Sequence, residues 1–141
     1  MPRELELLET SPAVKSYEIL DYKEGGSFYF LKIKAELIDG SVLYIREFVS
    51  EDEYNYSFQW QKDGKLVVRW DNAPHHKDVE TFPHHKHVGS QDNVQPSKEI
   101  SLEDILRVIE EKIILKRKLN PRPQPPPVYA ETAHLLKDVA Y

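Results

Sequence analysis

The sequence predicts an α+β domain in which a meander of about five antiparallel strands packs one face on one long helix. Three observations carry this. Two Asp-Gly pairs, Asp39-Gly40 and Asp63-Gly64, each stand between β-rich runs. Apolar and polar residues alternate through 27–38. From Ser101 an apolar stripe recurs at helical spacing.

Taken in order, the first ten residues read as a short helix. From Tyr17 the pattern is extended. Asp-Gly suits a tight hairpin turn because both central residues of a primed turn need positive φ. Glu24-Gly25-Gly26 is a third turn candidate. The expected strands are therefore 17–23, 27–38, 41–49, 54–62 and 65–71. In the second, Tyr29, Leu31, Ile33, Ala35 and Leu37 share one face and Lys32, Lys34 and Glu36 the other. A two-residue loop at Asp39-Gly40 sets Lys32 opposite Glu47, a favourable cross-strand charge pair. In the fourth, Tyr54, Tyr56, Phe58 and Trp60 share a face. A two-residue turn at 63–64 then sets Phe58 opposite Arg69 and Tyr56 opposite Asp71, on that aromatic face. A three-residue loop with a bulge reverses the parity.

Residues 72–99 lack helical periodicity and are punctuated by Pro74, Pro83, Gly89 and Pro96. A short extended piece fits between Thr81 and Val88, and the segment 72–90 is expected along the sheet's other side or edge. Ser101, with Asp104 three residues on, opens a helix over 101–119 in a capping-box-like start. Leu102, Ile105, Leu106, Ile109 and Ile113 form its apolar stripe. Lys112, Lys116, Arg117 and Lys118 suit the helix dipole at its C-terminal end. The domain is thus read as 1–120. The segment 121–127, PRPQPPP, is a stiff linker reaching roughly 20 Å. Residues 128–141 form a short helical docking segment for this domain, a sister subunit in a homodimer, or a partner.

Composition narrows the function classes. The 141 residues suit a single domain, and 40% hydrophobic with 30% charged residues fits a folded soluble protein. No apolar run approaches the ~20 residues of a membrane helix. The opening MPRELELLET lacks a signal-peptide core, so a cytoplasmic protein without membrane contact is expected. The absence of cysteine excludes disulfides, thiol catalysis and cysteine zinc sites. A net charge of −5 argues against non-specific coating of nucleic acid and leaves room for a local RNA site.

Chemistry concentrates in RWDNAPHHKDVETFPHHKHVG, residues 69–89, which holds five of the chain's six histidines. One reading is a metal site. His85 and His87 stand two apart and share a side if the stretch is a strand; Asp71, His75 or His76 can complete a set that takes a divalent metal such as zinc. Another is acid/base cleavage of an RNA phosphodiester, which needs no cofactor. Histidine titrates near neutral pH, Arg69 can grip a phosphate, and the Tyr54–Trp60 face offers stacking surfaces. A bland reading is also available. Such an aromatic face is more often core, Arg69 and Asp71 can be a plain salt bridge, and Asp71-Asn72-Ala73-Pro74 is good turn chemistry.

The order Tyr56-Ser57-Phe58, RWDNAPHH at 69–76, FPHHKH at 82–87, then a helix, resembles the TumE-like toxin family of type II toxin–antitoxin modules. The resemblance spans roughly 17–118. It implies a toxin neutralised by a cognate antitoxin, often a helix-turn-helix protein, with RNA cleavage as the leading activity by analogy with other small toxins. The positions it carries over are Tyr56, Arg69, Asp71, Asn72, His75, His76, His84, His85 and His87. The resulting expectation is a metal-free endoribonuclease. Its catalytic candidates are Arg69, Asp71, His75, His76, His84, His85 and His87, with His85 and His87 carrying protons. Tyr56, Asn72 and Lys86 contact the substrate. The alternatives are a metal-dependent hydrolase with Asp71, His85 and His87 as ligands, and a non-catalytic toxin that binds protein or RNA.

Overall fold

The computed structural model describes residues 2–119; the expected linker and docking segment lie outside the described residues. The elements run α1 (Arg3–Thr10), β1 (Val14–Glu24), β2 (Phe28–Leu37), β3 (Val42–Ser50), β4 (Tyr54–Lys62), β5 (Lys65–Asp71), β6 (His85–Val88), β7 (Val94–Pro96) and α2 (Leu102–Leu119). The strands form one sheet in sequence order, every neighbour antiparallel. The α+β meander is as expected. The sheet has seven strands rather than five, and it packs on two helices, of eight and eighteen residues, rather than on one long helix. The added strands are short. β6 is the extended piece anticipated near Val88, and β7 spans three residues, too few to show alternation.

Both helices cover the same sheet face. Leu5 and Leu8 of α1 join Leu102, Ile105, Leu106, Ile109 and Ile113 of α2 over Leu31, Ile33, Leu43, Ile45, Phe58, Trp60 and Trp70. Each fully buried side chain of this size contributes roughly 1.5–3 kcal/mol. α2 starts where the sequence places it. Ser101 Oγ accepts the Asp104 N–H at 3.3 Å, and Asp104 Oδ2 accepts the Ile100 N–H at 3.1 Å. Arg3 on α1 donates to Glu103 on α2 at 2.7 Å, and Ser11 donates to Glu110 at 2.7 Å.

Two registers differ from expectation. Between β2 and β3 the Leu37 N–H donates to Ser41 O at 2.9 Å and the Gly40 N–H to Leu37 O at 3.1 Å, with Gly40 at φ 86°. The loop is thus three residues, Ile38 to Gly40, with glycine in the left-handed position such a loop needs. The ladder moves by one, so Lys32 faces Arg46 and Glu47 faces Leu31, inside the core. The Lys32–Glu47 pair does not form.

The β4–β5 turn is the expected two-residue one, with Asp63 at φ 52° and Gly64 at φ 74° joining paired Lys62 and Lys65. A bulge follows. Gln61 faces Leu66 but Trp60 faces Val68, so Val67 is one residue extra. From there the parity is reversed. Arg69 lies opposite Gln59, and Asp71 opposite Ser57. Neither shares the face of Tyr56 and Phe58, contrary to the simple two-residue reading.

Candidate functional site

The face away from the helices carries two cross-strand rows. One runs Lys32, Arg46, Ser57, Asp71, His85; the other runs Lys34, Tyr44, Gln59, Arg69, His87. Strand alternation after the Val67 bulge sends Arg69 and Asp71 to this face, and the same period sends His85 and His87 there beside them. The segment between β5 and β6, which contains a cis Phe82–Pro83 peptide, brings His76 onto the pair. The His76 ring lies edge-on to His85 at 4.7 Å and to His87 at 5.7 Å between centroids; His85 and His87 are 5.0 Å apart.

Asp71 is the hub. It is buried, at 5% exposure. Its Oδ1 accepts the Ala73 N–H at 3.0 Å and lies 3.1 Å from His85 Nε2. Its Oδ2 accepts Arg69 Nε–H at 3.2 Å and lies 3.5 Å from His87 Nε2. Arg69 donates a second bond, through Nη1, to Gln59 Oε1 at 2.9 Å. Its guanidinium is the partly open edge of the site, the side chain being 34% exposed. Two carbonyls fix the far sides of the rings. His85 Nδ1 donates to Pro83 O at 3.0 Å, and His87 Nδ1 to Gln91 O at 2.8 Å. The remaining ring nitrogens, Nε2 of His85 and His87, are therefore turned inward to Asp71. His76, half-buried, is the imidazole of the cluster nearest solvent.

The other expected site residues lie elsewhere. Tyr56 sits in the core at 4% exposure. Its hydroxyl lies 2.9 Å from His84 Nδ1, and the two rings stack. Burial first, then His85, holds His84 below the usual imidazole range. Burial also raises Tyr56, with Asp71 adding to it. Lys86 pairs with Glu99 at 3.2 Å. Alternation along β6 puts Lys86 on the helix-covered side, away from His85 and His87. Asn72 splices strands: its Oδ1 accepts the Tyr56 N–H at 3.1 Å and its Nδ2 donates to Tyr54 O at 2.6 Å. His75 is exposed and outside the group of converging imidazoles. The sequence reading missed Gln59, whose parity with Arg69 depends on the bulge.

A second polar cluster lies beneath α1. Buried Glu47 accepts the Tyr54 hydroxyl at 2.9 Å, while its Oε1 has no partner. Burial first, then the Glu4 charge, pushes the Glu47 carboxyl up to about 7, against the lowering effect of the Tyr54 bond. Glu4 in turn accepts the Tyr29 hydroxyl at 3.0 Å.

The family model described as Toxin TumE matches residues 4–113, which spans both helices' core contacts and the whole sheet. The chain belongs to the TumE toxin family. No curated protein and no solved structure gives a significant match. No helix among the described residues is long and apolar enough to cross a membrane.

Proposed function

We propose that this TumE-family chain is the toxin of a type II toxin–antitoxin module and acts by cleaving RNA. One observation carries the reading. Arg69 is held by Asp71 and Gln59 at the rim of a three-imidazole cluster, with its guanidinium still partly open. A fixed guanidinium beside imidazoles is what a phosphodiester needs: a planar cation for the phosphate and titratable groups for proton transfer. The row geometry supports a polyanionic substrate. Arg46 lies two strands from Asp71 in the same row, about 10 Å at the usual strand spacing, and Lys32 lies one strand further.

In this reading Arg69 binds the phosphate, and Asp71 positions both Arg69 and His85. His76 is the imidazole that meets the substrate. Tyr56, His84, Lys86 and Asn72 hold the scaffold. The partner is a cognate antitoxin that covers the open face.

The test is incubation of purified protein with end-labelled RNA, alongside induced expression in a growing culture. Discrete cleavage and growth arrest by the wild type, both lost in Arg69→Ala, support the reading. Growth arrest that survives Arg69→Ala, with no cleavage by either protein, replaces it with a non-catalytic toxin. A metal-assisted version is favoured by one specific observation, the inward aim of both Nε2 atoms at Asp71.

A further inference from the structure

We propose that His76, His85 and His87, with Asp71, form a transition-metal site that takes a divalent ion of the zinc class. The proposal shares residues with the ribonuclease reading, makes His76 a ligand rather than the imidazole that meets the substrate, and does not need RNA to be the substrate.

The argument starts from the hydrogen-bond directions. Carbonyl oxygens only accept, so His85 Nδ1 and His87 Nδ1 must carry the protons given to Pro83 O and Gln91 O. In the neutral rings both Nε2 atoms then hold lone pairs. These face the Asp71 carboxylate at 3.1 and 3.5 Å, acceptor against acceptor, in a buried place. A positive centre must lie between them. Protons answer it only by sitting on both Nε2 atoms, which sets two imidazolium cations beside Arg69 for a single carboxylate. A metal ion answers it for both rings at once and gives His76 a reason to close over them.

Distances and chemistry agree. One ring nitrogen from each of His76, His85 and His87 falls within 4.8 Å of the others. A tetrahedral ion with bonds of about 2.0–2.1 Å has ligand atoms about 3.3 Å apart. The Asp71 contacts, Oδ1 to His85 Nε2 at 3.1 Å and Oδ2 to His87 Nε2 at 3.5 Å, lie near that edge, and closure draws the three imidazoles together around one ion. Nδ1–H bonds to backbone carbonyls are the outer support that metal-bound histidines use to fix tautomer and ring orientation. Three imidazoles and one carboxylate, with no thiolate in the chain, suit zinc and its neighbours better than magnesium or calcium, which prefer all-oxygen sites. Arg69 stands beside the carboxylate, where a fifth position would admit water or a phosphate oxygen.

The full-length protein, stripped with EDTA and dialysed, is titrated with Zn²⁺ by calorimetry. One equivalent binds saturably, and His76→Ala and His87→Ala weaken binding by about tenfold or more. His75→Ala, an exposed neighbour outside the cluster, leaves it unchanged. Absence of saturable binding, or equal weakening by His75→Ala, overturns the proposal. Because buried ligands can be needed for folding, the wild type loaded with Co²⁺ gives an independent readout. Strong visible bands of a four- or five-coordinate ion support the site, and the weak spectrum of an octahedral ion overturns it. RNA cleavage is assayed separately. Cleavage in EDTA by a protein that binds no Zn²⁺ removes the metal and keeps the ribonuclease; Zn²⁺ binding without cleavage does the reverse.

Discussion

Asp71 on β5 and His85 on β6 are directly paired across the ladder, carboxylate Oδ1 to imidazole Nε2 at 3.1 Å. The pair is buried and the Asp71 carboxylate also holds Arg69, so one side chain sets the positions of a cation and an imidazole. Asp71→Ala leaves the Arg69 Nε–H and the Ala73 N–H without their acceptor. Loss of these bonds costs about 1–3 kcal/mol, the Arg69 part being reduced by that side chain's exposure. Urea unfolding should show that loss, while Asp71→Asn, of the same shape, should retain more stability and still abolish growth arrest.

Arg69 offers a sharper test of phosphate binding. Lysine keeps the charge but not the planar fork that reaches Asp71 and Gln59 together. If RNA cleavage is the activity, Arg69→Lys should slow it by about 100-fold. Gln59→Ala, which frees one side of the guanidinium, should lose less. Equal rates for Arg69→Lys and wild type would remove the bidentate role.

The two faces of the sheet can be separated experimentally. Tyr56→Phe deletes a hydroxyl that meets His84 on the helix-covered side, at a cost of about 1 kcal/mol. Toxicity should persist. Its loss in a folded Tyr56→Phe protein would move the chemistry to the other face.

Glu47 should govern a pH dependence of stability. Its folded carboxyl is pushed up to about 7 by burial and by Glu4, so the folded state holds a proton that the unfolded chain releases. Stability from this group is full below the ordinary Glu range and is lost as pH rises toward about 7, a change of about 3 kcal/mol. Glu47→Gln should flatten thermal stability measured between those limits and leave the variant more stable than wild type above pH 7. An unchanged profile would show that Glu47 is ionised in the fold.

Much of the fold was legible. The α2 stripe identified its buried side chains because helical spacing leaves few other arrangements, and Asp63-Gly64 fixed a turn whose positive φ values are as expected. The H-x-H spacing placed His85 and His87 on one side of a strand, where the ladder has them. The bulge was not legible. Leu66, Val67 and Val68 are all apolar, so no alternation marks which is extra. His76 was one of several candidates because its approach depends on the path of the chain from Asn72 to His84. Tyr56, carried over from the family resemblance, lies with its aromatic neighbours in the core, as the bland reading of that face expects; its burial leaves no open ring for stacking on bases.

The extra residue at Val67 makes chain length, rather than side-chain identity, the guardian of the site. Removing one residue between Gly64 and Arg69 would restore simple pairing and swing Arg69 and Asp71 through the sheet, toward the helices. Every imidazole could stay in the gene and the centre would still be dismantled. Substitutions at the exposed Lys65, or apolar replacements of Val67, should therefore be tolerated, while a single-residue deletion across 65–68 should silence the toxin.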